Sequence, residues 1–506
     1  MTGLFDTDVI EALARGGAET QRRILERWPD RIADEMADGF TRRHPDMAAK
    51  SGFARWQLVA LTVVVVGLLT GVVLVPLLTL ALLTSVVTGY SLLHGVVALT
   101  GLLAGRRHGG GLADPPVPEA DLPSYTVLVP AYQEAEVIGG LVRHLAALDY
   151  PSDRLEVLIL VERHDPDTTR AVLAADPPPF VRVVQLPPGP PQTKPRSVNL
   201  GLMLARGELL VIFDAEDRPD PVQLRHAAAR FAARGRQLAC VQARLLFRNP
   251  ADNWLTKQFA MEYALRFAIS LPGLARLRLP IPLGGTSNHF RTDTLRDLGG
   301  WDAWNVTEDA DLGMRCAALG YRTETIETVT WEEALDTTGP FVRQRTRWFK
   351  GFLMTTAVHT RNPRHTLRRF RASGILVLLG LVAAGPVTAL VQPVITALTV
   401  AAVFDRTWSS AGSALVLPAL AAQAGSAALW IGITFAAARR ARLAAPWHAV
   451  FVPLYSLLWS VAAWRAVHQL AVAPFTWEKT PHTNDPAADS HEQALRHEPG
   501  SRITLP

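Results

Sequence analysis

The sequence predicts an α/β domain, with a parallel sheet covered by helices, inserted between apolar segments that cross a membrane. Two observations lead to this prediction. Short β-rich segments alternate with helical patterns between about residues 124 and 371. Apolar segments long enough to span a bilayer lie on both sides of that region. The chain therefore combines a polar domain with membrane-embedded parts.

Composition supports a membrane protein. Of the 506 residues 49% are hydrophobic and 19% are charged, which is too apolar for an ordinary soluble chain of this length. The net charge of +5 suits contact with anionic lipid or with an anionic substrate. Cys240 and Cys316 are too few for a disulfide framework or a metal cluster, which fits a cytosolic polar domain.

Residues 1–55 form a separate N-terminal stretch. Apolar residues recur at helical spacing, which predicts short amphipathic helices. The two series are Val9, Ile10 and Leu13, and then Ile24, Leu25, Trp28 and Ile32. We interpret the stretch as a cytoplasmic helical module. A regulatory role has no supporting chemistry in its sequence.

Residues 56–105 predict a transmembrane hairpin. From Gln57 to Gly105 there is no Asp, Glu, Lys or Arg, and Pro76 stands where a turn between two helices would fall. The flanks are basic, so the positive-inside rule places both in the cytoplasm; they carry Lys50, Arg55, Arg106 and Arg107.

The polar domain is predicted over residues 106–371, with interfacial helices at its C-terminal end. Apolar segments then return within residues 372–473, and residues 474–506 form a polar tail. The first of these segments could be one tilted helix or a broken pair, so we expect five or six crossings in all. The three segments are Gly374–Phe404, Ala411–Ala438 and Trp447–Leu470.

Four strands alternate with helices in the first half of the polar domain. Ligands of parallel sheets bind at the carboxyl ends of strands, and Pro130, Glu162 and Asp214 each follow a strand. The predicted strands are Tyr125–Pro130, Leu155–Val161, Val181–Gln185 and Glu208–Phe213, and the helices are Val137–Leu148, Asp167–Ala175 and Ser197–Ala205.

Asp214 and Glu216 follow a buried strand and are one residue apart. Two such carboxylates can project together and hold Mg²⁺ or Mn²⁺, a hard cation that bridges to a diphosphate. By itself, an acidic pair after a strand is more often a solvated turn.

The stretch from Tyr125 to Gly351 resembles the catalytic domain of a family 2 inverting glycosyltransferase, and more narrowly the membrane-embedded, cellulose-synthase-like processive branch. The resemblance implies a glycosyltransferase A-type, Rossmann-like fold that binds a nucleotide sugar. The residues that carry it are Val-Pro130-Ala-Tyr-Gln-Glu134, Lys194-Pro-Arg-Ser-Val-Asn199, Asp214-Ala-Glu-Asp217, Gly284-Gly-Thr-Ser-Asn-His-Phe290, Thr307-Glu-Asp309, Gln344-Arg-Thr-Arg-Trp348 and Pro474-Phe-Thr-Trp-Glu-Lys-Thr480.

The resemblance assigns metal binding to Asp214 and Glu216. The family usually has Asp where Glu216 stands, so Asp217 could share or replace that role. Asp309 is the candidate general base, since an inverting transfer needs one carboxylate to take the proton of the acceptor hydroxyl. The competing interpretation of Thr307-Glu308-Asp309 is a helix N-cap with acidic first-turn residues.

The other candidate residues would bind substrate. Arginine can hold phosphate oxygens through a bidentate fork, and tryptophan can stack on a sugar; the alternative for this motif is an interfacial helix anchored to lipid headgroups, with Arg343 and Lys350 facing lipid. Glu162 departs from the usual Asp for the uridine contact, so Asp165 is an alternative. The substrate-binding set is Glu162, Asp165, Lys194, Asp214, Glu308, Gln344, Arg345, Arg347 and Trp348.

These expectations give a multi-pass enzyme of a bacterial inner membrane. It would extend a β-linked polysaccharide from a nucleotide sugar, UDP-glucose or UDP-N-acetylglucosamine, and translocate the glycan. Membrane lipids are expected partners and nucleic acid is not. One alternative is transfer of a single sugar to a lipid carrier. Another is a transporter or inactive scaffold, which the near absence of ionisable residues in the spans and the presence of Asp214, Asp309 and Trp348 oppose.

Overall fold

The computed structural model describes residues 7–107, 114–404 and 410–479. The N-terminal module is helical, with α1 (Thr7–Arg15), α2 (Ala18–Arg27), α3 (Pro29–Arg43) and the short turns Pro45–Met47 and Ala49–Ser51. Its apolar residues Leu13 and Ile32 are fully buried and belong to the same core as the polar domain. Buried Gln21 donates to Leu204 O at 2.9 Å, so the module packs directly on that domain.

The first apolar region is a helical pair broken at the predicted proline. It consists of α4 (Arg55–Leu74) and α5 (Pro76–Arg107). Val75 follows the last residue of α4 and donates its N–H to Gly71 O at 2.9 Å, and Pro76 begins α5 where its missing N–H costs nothing.

The polar domain contains one eight-stranded mixed sheet in the order β3-β2-β1-β4-β7-β6-β8-β5. The four predicted strands pair in parallel, as expected. Beyond them the sheet is mixed, because β7 is antiparallel to both β4 and β6, whereas β6 and β8 pair in parallel. The strands are β1 (Tyr125–Ala131), β2 (Leu155–Glu162), β3 (Val181–Leu186), β4 (Leu209–Ile212), β5 (Arg218–Pro219), β6 (Leu238–Phe247), β7 (Asn288–Arg291) and β8 (Arg322–Glu332).

Helices cover both faces of the sheet. Alternate residues of the same strand enter two different cores: Leu128 joins the one that includes the N-terminal module, and Val127 and Val129 join the other. The helices are α6 (Ile138–Ala146), α7 (Pro166–Ala174), α8 (Lys194–Leu204), α9 (Gln223–Arg234), α10 (Trp254–Leu265), α11 (Leu271–Arg276), α12 (Thr292–Asp297), α13 (Glu308–Ala318), α14 (Thr338–Thr360) and α15 (Pro363–Arg369), and the π-helical turn Arg266–Ser270 joins α10 to α11.

The second apolar region follows α15. Its elements are α16 (Ala372–Val377), a π-helical turn (Leu378–Ala383), α17 (Ala384–Phe404), α18 (Ser410–Arg440), a 3-10 turn (Pro446–Phe451) and α19 (Val452–Val472). Residues Ala372–Phe404 form one candidate span rather than a broken pair. Among the described residues, five helices are long and apolar enough to cross a membrane, the lower of the two expected numbers.

Candidate active site

A polar cavity of about 770 Å³ lies at the carboxyl ends of the parallel strands. Pro130, Glu162 and Asp214 line it, as their positions after three strands predict. The other predicted residues that line the cavity are Lys194, Glu216, Glu308, Asp309, Gln344, Arg347 and Trp348. Asp165, Asp217 and Arg345 are not among the lining residues.

Lys194 is the cation at the base of the cavity. It begins α8, donates to a carboxylate oxygen of Asp214, and donates to Gly285 O at 2.7 Å. Burial opposes the charge on Lys194, but Asp214 and Glu308 more than offset that effect and raise the pKa of the ammonium. Lys194 therefore remains charged and can face a diphosphate.

Asp217 has a structural position. It is fully buried, and one carboxylate oxygen accepts from Asp214 N at 2.8 Å and from the Thr286 hydroxyl. Burial, followed by the charges of Asp214 and Glu216, raises the pKa of Asp217 well above its usual value. Asp217, predicted to share or replace the role of Glu216, does not line the cavity, and its side chain fixes the turn that presents Asp214.

Glu332, which sequence reasoning missed, adds another carboxylate to the cavity. It ends β8, and its Oε1 is buried without a hydrogen-bond partner among the described residues. Burial, and then the charge of Asp217, raises the pKa of Glu332 well above its usual value. In the sequence, the only indication of Glu332 was the acidic pair Glu332-Glu333 after a β-rich segment. Its position near Asp214 depends on the pairing of β8 with β5 in the sheet.

The carboxylates could supply some of the oxygen ligands of a divalent cation, but not a complete coordination shell. No group of three or more His, Cys, Asp or Glu side chains within residues 7–107, 114–404 and 410–479 is arranged to hold a metal ion. Asp214 and Glu216 supply a pair of oxygen donors, and Lys194 pairs with Asp214. Mg²⁺ or Mn²⁺ here would need further oxygens from a diphosphate.

Glu308 and Asp309 begin α13. Asp309 accepts from Ala310 N at 2.8 Å, so the carboxylate is fixed at the helix N-terminus, while the Thr307 side chain makes no capping bond. Burial raises the pKa of Asp309, and burial together with the Asp309 charge raises that of Glu308 to about 8. A carboxylate whose proton affinity is raised in this way suits a general base.

Gln344, Arg347 and Trp348 form the cavity wall that α14 contributes. Gln344 Oε1 and Arg347 Nε are buried without partners among the described residues, so both are available to a ligand. A Cβ at Gly351 would lie 2.3 Å from the Thr307 hydroxyl, so only glycine lets this helix approach the Thr307–Asp309 turn so closely.

Arg345 was predicted to bind substrate, and the structure corrects this placement. Its guanidinium pairs with both carboxylate oxygens of Glu262 at 2.6 and 2.8 Å. Tyr455 OH also donates to Glu262, at 2.7 Å. The Arg345 charge lies 4.3 Å from the centre of the Trp348 ring. Arg345 therefore lies outside the cavity and packs against Trp348, which lines it.

Glu162 and Asp165 differ in position. Glu162 lines the cavity, where burial raises its pKa, and it accepts from Arg196 at 3.3 Å. Asp165 caps α7 by accepting from Thr168 N at 3.2 Å and also accepts from Gln133 N. Asp165 thus fixes the loop that follows β1, and Glu162 is the one that can meet a ligand.

Residues Ala473–Lys479, the C-terminal strap, cross the cavity. Lys350, expected to face lipid, is instead fully buried and donates to Thr476 O at 2.8 Å and to Ala473 O at 3.3 Å. At the other end Lys479 donates to Gln133 O at 2.6 Å. Arg347 lies 4.3 Å from the ring of Trp477, so the strap touches the cavity wall.

Residues 123–351 match the model of the family described as "Glycosyltransferase like family 2". The chain therefore carries a family 2 glycosyltransferase domain, and the match covers the sheet and the cavity residues up to Gly351.

Curated relatives agree with this domain. "Probable glycosyltransferase YdaM" of Bacillus subtilis (strain 168) is 27% identical over 235 residues, covering 46% of this chain and 56% of that protein. "Beta-monoglucosyldiacylglycerol synthase" of Trichormus variabilis is 28% identical over 241 residues, covering 46% and 50%. "Glucomannan 4-beta-mannosyltransferase 1" of Oryza sativa subsp. japonica is 26% identical over 299 residues, covering 55% and 57%. The chain thus spans about half the length of the curated relatives it matches.

A solved structure shares the fold. The mannosyltransferase PcManGT from Pyrobaculum calidifontis, in complex with GDP-Man and Mn²⁺, superposes with a TM-score of 0.53 at 20% identity, covering 77% of this chain and 99% of that one. The predicted fold class is confirmed: a glycosyltransferase A-type mixed α/β domain with additional apolar helices.

Proposed function

We propose that this chain is an inverting glycosyltransferase that extends a β-linked polysaccharide from a UDP-sugar, UDP-glucose or UDP-N-acetylglucosamine, at the cytosolic face of a bacterial inner membrane. The observation that carries the proposal is the convergence of a partly buried base, a cation and an aromatic wall in one cavity: Asp309, Lys194 and Trp348.

The transfer follows from those positions. The acceptor hydroxyl oxygen attacks the anomeric carbon while its proton passes to the Asp309 carboxylate, and the bond from that carbon to the diphosphate breaks. Lys194 and Arg347 face the negative charge that grows on the diphosphate oxygens. A divalent cation held by Asp214 and Glu216 would offset the same charge.

The aromatic wall supports a sugar acceptor. Trp348 and Trp304 both line the cavity, and a tryptophan ring presents an apolar face on which a sugar can stack. Gln344 adds a buried carbonyl that has no partner among the described residues. The Gln344–Trp348 motif, which resembles that of the processive branch, contributes to this wall. The resemblance supports repeated addition of sugars to one glycan.

The contacts of α19 favour four membrane crossings. In the turn just before it, His448 O accepts from Gln258 at 2.8 Å, and just after it Ala473 O accepts from Lys350. Both donors belong to the polar domain, so both ends of α19 lie on one side of the membrane. Leu454, Leu457 and Val461 are exposed, as in a helix lying in the interface. We therefore propose that α19 lies along the membrane surface, which replaces the predicted crossing by Trp447–Leu470.

Radiolabelled sugar incorporation by the purified full chain tests the proposed function. UDP-glucose and UDP-N-acetylglucosamine would each be supplied with Mg²⁺ or Mn²⁺. We expect high-molecular-weight product, reduced about 10²-fold to 10⁴-fold by Asp309→Asn because the base is lost. Binding of UDP should survive that substitution. Equal product from Asp309→Asn would contradict the assignment of the base.

A single transfer to a membrane lipid is the second candidate function. It is favoured by the similarity to the synthase from Trichormus variabilis and by the apolar side chains of Phe352 and Val472 in the cavity lining. Label confined to the lipid extract would select this function. Absence of turnover and of UDP release with every donor would favour an inactive scaffold.

A further inference from the structure

A second, larger cavity of about 1310 Å³ lies where the polar domain meets the apolar helices, and we call it the basic recess. It shares no lining residue with the polar cavity. Its arginines outnumber its carboxylates, which are Asp114, Glu324 and Glu327. The arginines are Arg225, Arg230, Arg234, Arg244, Arg276, Arg278, Arg322, Arg369, Arg371 and Arg440.

The carboxylates are already engaged. Asp114 and Glu324 pair with Arg230 and Arg234, and Glu327 pairs with Arg244 at 2.8 Å. Across the described ranges the remaining arginines of the recess, apart from Arg225, form no ion pair or side-chain hydrogen bond; they are Arg276, Arg278, Arg322, Arg369, Arg371 and Arg440. All of them are exposed. Uncompensated like charges in one concavity repel, and an anion would relieve that repulsion.

The positive-inside rule explains only part of this set. Arg369 and Arg371 precede one apolar span and Arg440 ends another, as that rule predicts. Arg276 on α11 and Arg322 on β8 instead come from the polar domain, far from any span in the sequence. The fold brings arginines from separate chain segments to a single recess. The positive-inside rule, which concerns only residues next to a span, does not account for this convergence.

The recess lies at the level where the headgroups of membrane lipids would be. Gly101 and Ala104 at the end of the span Pro76–Ala104 line it, and so does Gly374 at the start of the next span. Leu277, between two of the arginines in sequence, is 40% exposed. Guanidinium groups bind phosphate oxygens in a bidentate geometry, and the apolar residues beside them suit the adjoining acyl region.

We propose that the basic recess binds the phosphate-bearing headgroup of an anionic phospholipid. The proposal rests on the membrane placement above and not on the sugar-transfer chemistry. The bound phosphate reduces the repulsion among the exposed arginines and fixes α11 against the membrane. Because α11 follows the π-helical turn that carries Arg266 and Phe267 of the polar cavity, the lipid also stabilises one wall of that cavity.

The test measures lipid binding without any donor sugar, so its result is independent of whether sugar transfer occurs. The full chain is purified in neutral detergent, and retained phosphatidylglycerol is compared with retained phosphatidylcholine by native mass spectrometry. Thermal stability is then compared in nanodiscs of phosphatidylcholine alone and of phosphatidylcholine mixed with phosphatidylglycerol. We expect selective retention of phosphatidylglycerol and a higher Tm in the mixed nanodiscs.

A matched pair of double variants separates a site from diffuse charge. Arg276→Gln with Arg278→Gln removes two arginines of the recess, whereas Arg364→Gln with Arg368→Gln removes two exposed arginines of α15 that do not line it. We expect the first to weaken phosphatidylglycerol binding roughly tenfold or more and the second to leave it nearly unchanged. Equal losses in both would overturn the proposal. Stabilisation by inorganic phosphate equal to that by the lipid would assign the recess to a soluble phosphate compound instead.

Discussion

The indole N–H of Trp304 donates to the Asp38 carboxylate at 2.7 Å, which joins the N-terminal module to the wall of the polar cavity. Lys50 pairs with the same carboxylate and lies 4.4 Å from the centre of the Trp304 ring. On its other side the ring meets Phe475 of the C-terminal strap in an edge contact, with centroids 5.2 Å apart. The module therefore positions a cavity residue.

We expect Asp38→Ala to raise the KM for acceptor about threefold to tenfold with a smaller change in kcat, because Trp304 loses one hydrogen bond and its fixed orientation. Steady-state kinetics at saturating donor would measure this split. Asp34→Ala on the same helix is the control, since Asp34 is exposed and pairs with Arg42. A KM for Asp38→Ala equal to that of the control would show that the module does not position Trp304.

The Glu308 carboxyl predicts a pH-dependent contribution to stability. Burial and the Asp309 charge raise its pKa from 4.5 to about 8, so between these values the folded state holds a proton that the unfolded state releases. This contribution to the free energy of unfolding is therefore present at low pH and is lost as pH rises towards 8. The Tm of the wild type minus that of Glu308→Gln should fall over that window, and a flat difference would contradict the raised pKa.

Glu262 and Arg345 form a buried pair, and breaking it should destabilise the fold. We expect Glu262→Leu to cost about 3 to 5 kcal/mol, because it leaves the Arg345 charge buried without its partner. The double change Glu262→Leu with Arg345→Met should recover most of the loss, since an apolar pair of similar size needs no counter-charge. Thermal unfolding measures both. A double variant no more stable than the single one would show that the loss in Glu262→Leu does not come from the unpaired Arg345 charge.

Lys350→Met should loosen the C-terminal strap, because Ala473 O and Thr476 O lose their donor. Trypsin should then cleave after Lys479 faster than in the wild type, and the KM for donor should rise about threefold to tenfold. Arg343→Gln on the same helix is the control, since Arg343 is exposed. Unchanged cleavage in Lys350→Met would mean that other contacts, such as Lys479 with Glu134, hold the strap alone.

Much of the cavity could be predicted because it lies at strand ends and helix starts. Continuous apolar runs such as residues 157–161 identify buried parallel strands, and the polar residue that follows each run must lie at the same edge of the sheet. Arg345 shows the limit of such reasoning. It lies three residues before Trp348 and contacts that ring, so helical spacing does not separate Arg345 from the substrate-binding set. Its pairing with Glu262, from a distant helix, decides its role.

Other features depended on the course of the chain in space. No local pattern encodes pairings between segments far apart in sequence. Such pairings make β7 antiparallel to its neighbours and place Glu332 near Asp214. The burial of Lys350 is similar, because its carbonyl partners come from a strap more than a hundred residues later.

The sequence by itself determined that a glycosyltransferase-like α/β domain lies between apolar helices and which of its motifs carry carboxylates, cations and aromatic rings, since those depend on local periodicity and residue chemistry. Only the tertiary structure decided which side chains reach the cavity, which support it from behind, and how the N-terminal module and the strap close around it. These outcomes depend on packing between distant segments, where burial and a single hydrogen-bond partner decide the role of a charged residue.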